Sequence, residues 1–296
     1  MKLKTQFKTA LLAAALMASS TGFAGMVNNW SYVTSLEFTD SSFNDYGVGG
    51  EYADGDELSW GEDGGTWTTA DGGRSALTIG GNLIADPTDT SGTERTIEPL
   101  NTVSGVVATG GAGIGNSMTH WNRTISLDWA VLDSGTLEDK LTLTALDGAM
   151  TGVSKNAPTL EIGFGFEETL NYPGPGNCVT GDTPCADVWG IVGVQTTGID
   201  FIFDSWLYEI DIVIVDPNDL NTSPIEQLTA DQCAVLGFDP NDPCFGFITP
   251  EKQVTSVQFG FTIESVGQVP VPAAVWLFGS ALLGFVGYNR RRKSKA

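Results

Sequence analysis

Apolar and polar residues alternate along several segments of this chain. The pattern is clearest over residues 160–167, 208–214 and 255–264. Successive side chains of a β-strand point to opposite faces, so each segment would place apolar residues on one face and polar residues on the other. Such strands belong to antiparallel sheets that cover a core on one side and meet water on the other.

Further strands are predicted in both halves of the chain, separated by Gly, Asn, Asp and Pro turn residues. Residues 229–236 form a predicted helix instead, because Thr229 or Asp231 can cap its start and Gly237 can end it. We therefore predict an all-β fold, a jelly-roll-like β-sandwich with one short helix, over residues 25–268. The other predicted strands are 30–38, 75–84, 102–109, 124–131, 139–146, 188–194 and 199–203.

The first 24 residues have the pattern of a secretory signal peptide. Three lysines precede a short apolar run at residues 10–18, and the small residues Gly22 and Ala24 follow it. The run is too short to span a bilayer, which favours a cleaved export signal over a membrane helix. The mature chain is therefore expected to begin after Ala24 and to lie outside the cytoplasm.

The last 28 residues, 269–296, have the pattern of a membrane-directed tail. Its parts are Val269, Pro270, Val271 and Pro272, an uncharged apolar segment at 273–288, and a basic stop at 290–295 that includes Arg290, Arg291 and Arg292. As a helix, the apolar segment would span roughly 24 Å, which is less than the roughly 30 Å of a bilayer core. The two prolines lack an amide N–H and favour an extended, accessible segment before it. The tail thus predicts a single transmembrane helix suited to temporary retention in the inner membrane.

The region between the two ends is strongly acidic. It carries six Lys and Arg against all 36 Asp and Glu of the chain, a net charge of about −30. An acidic surface repels phosphate groups, so the charge argues against a nucleic-acid partner. It suits a protein that stays soluble outside the cell.

Four cysteines occur as two local pairs, Cys178 with Cys185 and Cys233 with Cys244. In an exported protein an even number of cysteines indicates disulfides. Three connectivities are possible, and we favour the two local ones. A zinc site is the alternative, but the spacings do not match C-x2-C and the single histidine lies far away in sequence.

The single histidine, His120, lies between Thr119 and Asn122 at the entry to a predicted strand. It could act as a base or a ligand, but the sequence has no G-x-S-x-G nucleophile elbow and one histidine cannot form a multi-histidine metal site. We therefore favour a structural, hydrogen-bonded role. The adjacent Glu167 and Glu168 are candidates for a glycosidase pair, yet neighbours along a strand point to opposite faces. No catalytic residue is predicted.

Ligand-binding residues are predicted in two kinds of loop. Tyr52, Trp60 and Trp67 belong to a Gly-rich region and are candidates to stack on sugar rings. Acidic loops at 54–56, 216–219 and 239–242 offer oxygen ligands of the kind that Ca²⁺ prefers. None has EF-hand spacing, and Asx-turns explain such loops more simply. No other cofactor and no other metal are expected.

The tail is similar to the sorting signal of PEP-CTERM proteins of Gram-negative bacteria. The similarity depends on three parts in order: the Pro-containing motif at 269–272, the apolar helix and the Arg cluster. Val271 stands where Glu is usual, as in the variant form of the motif. In that family an exosortase recognises and cleaves the signal, and members are associated with exopolysaccharide and biofilm formation. The resemblance implies the Sec translocon and an exosortase as partners during export.

The body resembles the THxN family of PEP-CTERM proteins. The naming motif is Thr119-His120-Trp121-Asn122, and similar features are residues 164–169, Cys178 and residues 244–251. The family has no established activity, so the resemblance implies a location and a β domain without a mechanism.

These observations lead to one expected function and two alternatives. We expect an exported, exosortase-processed protein of the cell surface or extracellular matrix, a non-enzymatic structural or adhesion component of an exopolysaccharide biofilm. The first alternative is a carbohydrate-binding module or a glycoside hydrolase that acts on extracellular polysaccharide. The second is a protein that stays anchored in the membrane.

Overall fold

A computed structural model gives the fold of the protein. It describes residues 25–44, 49–69, 71–80, 101–126, 128–169, 178–181, 185–192, 198–216 and 223–269. The predicted signal peptide, the prolines of the sorting motif, the predicted transmembrane helix at 273–288 and the Arg cluster lie outside the described residues. In the part of the chain that is described, no helix is long and apolar enough to cross a membrane.

The described residues form mainly β-strands, as the alternating segments predict. The strands are β1 (Asn29–Asn44), β2 (Tyr52–Ala53), β3 (Glu57–Gly61), β4 (Arg74–Gly80), β5 (Thr102–Ala108), β6 (Gly111–Trp121), β7 (Val131–Ala145), β8 (Ser154–Asn156), β9 (Leu160–Glu167), β10 (Asp187–Val192), β11 (Ile199–Phe203), β12 (Trp206–Val215), β13 (Glu226–Gln227), β14 (Cys244–Thr249) and β15 (Val254–Gln268). The all-β prediction is confirmed.

Within the described residues the strands form two antiparallel sheets. The first has the order β13-β14-β10-β9-β7-β1-β5, with β8 paired to β7, and the second has the order β11-β12-β15-β6-β4-β3-β2. The longest pair is β1 with β7, which extends from Trp30 opposite Ala145 to Asn44 opposite Val131, with register shifts between Phe38 and Asp40 and between Ser42 and Phe43. Strands that neighbour each other in a sheet are often far apart in sequence, as β6 and β15 are, so the sheets form through long-range pairing.

The core lies where side chains of both sheets meet. Trp60 of β3 in the second sheet contacts Phe166 of β9 in the first, with ring centroids 4.9 Å apart in an edge-to-face arrangement. Trp189 and Phe247, on neighbouring strands of the first sheet, stack at 5.1 Å. Each of these rings is less than 3 % exposed. Burial of a large side chain contributes about 1.5–3 kcal/mol, so such rings are the main force that joins the sheets.

The prediction of a strand over residues 124–131 is wrong for residues 124–126 and 128–130, and residue 127 lies outside the described residues. β6 ends at Trp121 in the second sheet and β7 begins at Val131 in the first sheet, so residues 122–130 connect the sheets. Ile125 is nevertheless buried, and Thr124 Oγ1 donates to Glu251 Oε1 over 2.8 Å. The alternation in this segment therefore does not indicate a strand. A segment that crosses from one sheet to the other pairs with neither sheet, although it can still bury a side chain such as Ile125.

The two local disulfides are confirmed, and so is the short helix. Cys178 bonds to Cys185 and Cys233 bonds to Cys244. The helix α1 (Ala230–Val235) begins after Thr229, whose side chain and backbone form a capping box with Gln232. The second disulfide attaches α1 to β14, and it is buried with Val188, Leu228 and Leu236 in a small apolar cluster. Disulfides persist in oxidising compartments, so the pair indicates an extracytoplasmic location.

Candidate functional site

The polar residues of the Thr119–Asn122 segment lie inside the protein. His120 is the last inward-facing residue of β6, and Asn122 follows the strand directly. Both are 0 % exposed. The ring of His120 lies between aromatic neighbours, stacked on Trp60 at 6.2 Å and edge-to-face with Phe166 at 5.0 Å. A histidine at this position contacts the core and not the solvent.

Two buried carboxyl groups lie beside His120. Glu168 follows β9, and Asp187 is the first residue of β10. Asp187 Oδ1 accepts hydrogen bonds from the amide of Thr169 at 2.9 Å and from its hydroxyl at 3.1 Å. Glu168 Oε2 accepts a hydrogen bond from Trp60 Nε1 at 2.7 Å. The two carboxyl groups lie close enough to shift each other's pKa, and within the described residues Glu168 Oε1 and Asp187 Oδ2 accept no hydrogen bond.

Two buried carboxylates that lie close together repel each other, which favours a proton on one of them. Burial raises the pKa of Glu168 well above its usual value, and the nearby charge of Asp187 raises it further. Burial also raises the pKa of Asp187, but the two hydrogen bonds from Thr169 oppose this shift. We therefore place the proton on Glu168 and the negative charge on Asp187, since a carboxylate gains most from donated hydrogen bonds.

His120 is neutral in this environment. Burial, together with the positive charge of Arg123, lowers the pKa of His120 to about 3. His120 Nε2 lies 3.5 Å from Asp187 Oδ2, a distance too long for a strong hydrogen bond. The contact thus joins a neutral imidazole to a carboxylate. Within the described residues, neither ring nitrogen of His120 has a hydrogen-bond partner.

The segment that follows β14 completes the cluster. Asn122 Nδ2 donates to the backbone carbonyl of Thr249, the last residue of β14, over 2.8 Å. Glu251 follows two residues later, is partly buried, and raises the pKa of both Glu168 and Asp187 by its charge. We call His120, Glu168, Asp187 and Glu251 the buried acid cluster. Each of these residues belongs to, or comes shortly after, a different strand.

The buried acid cluster links the two sheets. His120 and Trp60 belong to the second sheet, whereas Glu168 and Asp187 belong to the first. His120 and Asp187 are 0 % and 1 % exposed, so a substrate cannot contact them without opening the core. General acid–base catalysis needs a group within hydrogen-bond reach of the substrate, and these groups do not offer it. The arrangement is a polar contact between the two sheets, but the hydrogen bonds predicted for His120 are not found within the described residues.

The three body segments that carry the resemblance converge at this cluster. Residues 119–122 supply His120, residues 164–169 supply Glu168, and residues 244–251 supply Glu251. Asp187 lies outside all three segments, and sequence reasoning missed it. The sequence shows Asp187 only as an acidic residue at the start of an apolar strand, and this does not distinguish Asp187 from the many other acidic residues.

The structure separates the three predicted sugar-stacking aromatics. Trp60 is 0 % exposed and donates its indole N–H to Glu168, so the prediction that Trp60 stacks on a sugar is wrong. The cause is its inward position on β3, which a Gly-rich sequence context did not reveal. Tyr52 is 48 % exposed, and it lines a surface cleft together with Trp67. The structure therefore brings two of the three residues together.

The surface cleft has a volume of about 420 Å³ and lies at the β2–β3–β4 end of the second sheet. Gly64, Gly65 and Trp67 come from the β3–β4 loop, and Arg74 comes from the start of β4. At Gly65 an added Cβ would lie 2.7 Å from the Gly72 carbonyl oxygen and 2.9 Å from Arg74 Cγ, so only glycine fits at this position of the loop. The lining residues are Glu51, Tyr52, Glu57, Ser59, Gly64, Gly65, Thr66, Trp67 and Arg74.

The acidic loops proposed for Ca²⁺ form Asx-turns where they are described. Asp54 Oδ1 accepts from the amides of Asp56 and Glu57, and its Oδ2 accepts from the Tyr52 hydroxyl. Asp239 Oδ1 accepts from the amide and side chain of Asn241. Residues 217–219 lie outside the described residues. Among the residues that the structure describes, no three His, Cys, Asp or Glu side chains are arranged to hold a metal ion.

The fold and these two sites define a disulfide-bonded, all-β protein with a sealed acid cluster and an open aromatic cleft. Comparison with known protein families, characterised proteins and solved structures finds no match for the chain. Its function therefore has to be argued from its own residues.

Proposed function

We propose that the protein is an exported, exosortase-processed component of the cell surface or extracellular matrix, with a structural or adhesive role and no catalytic one. The observation that carries the non-catalytic part is the burial of His120 and Asp187, which removes the acid–base groups of this cluster from any substrate. We also propose that the two sheets form a jelly-roll-like β-sandwich and that the tail spans the inner membrane until it is processed.

Two further properties support a role outside the cytoplasm. The disulfides Cys178–Cys185 and Cys233–Cys244 suit an oxidising compartment, and a body charge of about −30 suits a soluble protein among neutral polymers. The sorting-signal resemblance of residues 269–296 supports processing by an exosortase and association with exopolysaccharide.

The processing proposal is tested by expression of the full chain in a Gram-negative host with and without an exosortase gene. With the enzyme, we expect a mature product that begins after Ala24, lacks residues 273–296 and is found outside the inner membrane. Without it, the full tail should stay with the inner membrane. A matched variant, Pro270→Ala/Pro272→Ala, keeps the apolar segment and the Arg cluster, and we expect it to be retained even with the enzyme present. Release of an unprocessed chain in both hosts would contradict the proposal.

The carbohydrate-binding alternative is favoured by a specific observation, the surface cleft that Tyr52 and Trp67 line. An adhesive matrix component needs a contact with its polymer, so this alternative is compatible with the proposed role. A hydrolase would release reducing sugar ends from the polymer, and a binding module would not.

A further inference from the structure

The surface cleft offers a rigid aromatic surface. Trp67 Nε1 donates to Glu57 Oε1 over 3.0 Å, and its ring packs against Trp121 with centroids 5.2 Å apart. Its backbone carbonyl accepts from Arg123 Nε at 2.8 Å. These contacts fix the indole N–H, the ring and the backbone of Trp67. The side chain therefore loses little conformational entropy when a ligand binds, which favours affinity.

The second aromatic side chain of the cleft is held at its polar end. The Tyr52 hydroxyl donates to Asp54 Oδ2 over 2.6 Å, while 48 % of the residue stays exposed. Tyr52 and Trp67 thus line the same opening. An aromatic face carries partial negative charge and attracts C–H groups, such as those on the apolar face of a sugar ring.

Polar groups in the cleft complement hydroxyl groups. Arg74 Nη2 donates to Ser59 Oγ over 2.8 Å, and Nη1 donates to the Glu62 carbonyl over 3.3 Å. Neither acceptor is a carboxylate, and a guanidinium carries five N–H donors, so further donors are available to a ligand. Glu57 uses Oε1 for Trp67 and keeps Oε2 as an acceptor. Donors and acceptors close to two ring faces suit a ligand that has hydroxyls around an apolar ring.

The charge around the cleft selects among such ligands. Glu51 and Glu57 line it against one cation, Arg74, and the body carries a net charge of about −30. This field repels polyanions and leaves neutral molecules unaffected. The volume of about 420 Å³ lies in the lower part of the range of small-molecule sites.

We propose that this cleft binds a neutral saccharide, stacked on Tyr52 and Trp67 and hydrogen-bonded by Arg74 and Glu57. This proposal specifies a ligand for the adhesive role proposed above. Only the biological purpose of the binding rests on that role. The ligand class is a short stretch of a neutral polysaccharide, because an open cleft on the surface can admit an internal segment of a polymer.

The Thr119–Asn122 segment positions this cleft as well as the buried acid cluster. His120 faces the core, whereas Trp121, the next residue of β6, faces outward beneath Trp67. Trp121 Nε1 donates to Thr78 Oγ1 over 2.9 Å, and the Arg123 guanidinium lies 5.5 Å from the Trp121 ring centroid. Trp121 and Arg123 are therefore positioning residues, which act on the ligand through Trp67.

The binding test uses the full chain, purified in mild detergent with its disulfides oxidised, in titration calorimetry. The probes are three neutral polymers, dextran, laminarin and galactomannan, and one polyuronate, alginate, at equal ionic strength. We expect saturable binding to at least one neutral probe and none to alginate. Trp67→Ala and Tyr52→Ala should each weaken binding by about three- to ten-fold. Tyr52→Phe keeps the ring but removes the hydrogen bond to Asp54 that holds it, so we expect a smaller loss of affinity than for Tyr52→Ala.

Thermal unfolding of every variant shows whether a loss of binding reflects a loss of fold. Val106→Ala, at an exposed position on β5 of the other sheet, provides a surface control that should not change binding. Arg123→Lys removes the Nε contact to Trp67, and we expect weaker binding at an unchanged stoichiometry.

The absence of binding to all three neutral probes, or equal binding by the Trp67→Ala variant, would overturn the saccharide proposal. Preference for alginate would overturn its charge argument. None of these outcomes bears on export or processing.

Discussion

The indole N–H of Trp60 donates to Glu168 Oε2 over 2.7 Å and so joins one sheet to the other through the core. This hydrogen bond connects a fully buried ring to a buried carboxyl group whose pKa is raised by burial and by the nearby charge of Asp187. A buried polar pair of this kind is stable only when each member has its partner, which makes the buried acid cluster sensitive to single substitutions.

The first prediction concerns this hydrogen bond. Trp60→Phe keeps a buried ring but leaves Glu168 Oε2 without its donor, so we expect the free energy of unfolding to fall by about 2–4 kcal/mol, from lost contacts and an unsatisfied acceptor. Glu168→Gln should change it far less, because the amide accepts from Trp60 and is uncharged beside Asp187, as the protonated acid is. Urea unfolding at one pH measures both. Equal losses in the two variants would contradict the proton placement.

The second prediction is that stability falls as pH rises above about 4.5. The folded-state pKa of Glu168 is raised well above the unfolded value, and burial with the nearby Asp133 charge raises the pKa of Glu167 to about 7. The folded state therefore binds more protons than the unfolded state, so the contribution is fully present below pH 4.5 and is lost as pH rises through the folded pKa. Unfolding by urea at pH 5, 6, 7 and 8 with intact disulfides measures the slope.

His120 contributes to this profile with the opposite sign. Its pKa is lowered from 6.5 to about 3, so its contribution is present above pH 6.5 and is lost as pH falls toward 3. The acids with raised pKa, among them Glu167, Glu168 and Asp187, outweigh one histidine between pH 4.5 and 6.5, and we expect the optimum to be mildly acidic. Glu168→Gln should flatten the decline above pH 4.5, while Asp239→Gln, at an exposed position, should leave the slope unchanged. A profile that rises from pH 5 to 8 would be incompatible with a protonated Glu168.

The third prediction concerns the disulfide between α1 and β14. The double variant Cys233→Ala/Cys244→Ala removes a bond buried in the small apolar cluster, and we expect a loss of about 2–4 kcal/mol in the free energy of unfolding. Cys178→Ala/Cys185→Ala is the matched control for loss of a local disulfide, and only the first variant should loosen α1 in hydrogen exchange. A non-reducing peptide map should recover both local pairs, and crossed pairs would refute the connectivity.

The fourth prediction concerns the start of α1. Thr229→Ala removes the side-chain acceptor for the Gln232 amide, and we expect a loss of about 1 kcal/mol. Asp231→Ala, at an exposed position in the first turn, removes only a favourable charge and should lose no more than about half as much. Thermal unfolding compares the two, and a larger effect for Asp231 would show that the capping box contributes little.

Some of this protein could be predicted because local sequence determines it. Period-two alternation predicted β9, β12 and β15, since the side chains of a strand alternate between core and solvent whatever the strand pairs with. The pair Thr229 and Gly237 predicted α1, because caps act within a few residues. Close spacing predicted both disulfides for the same reason.

Residues 124–130 and Trp60 show where local sequence was insufficient. The alternation around Ile125 is the same whether the segment pairs in a sheet or crosses between sheets, and only the placement of β6 and β7 in different sheets decides this. The burial of Trp60 depends on the opposite sheet closing over β3, which a Gly-rich context does not indicate.

The sequence by itself determined the class of fold, the local disulfides, the helix and the acidic character of the body, because each depends on neighbouring residues or on composition. The tertiary structure alone decided that Asp187 lies beside His120, 67 residues earlier in the chain, and that Trp67 packs on Trp121. The physical reason is that antiparallel sheets are built by long-range pairing. Contacts between distant strands follow from register and sheet order, which no single segment encodes.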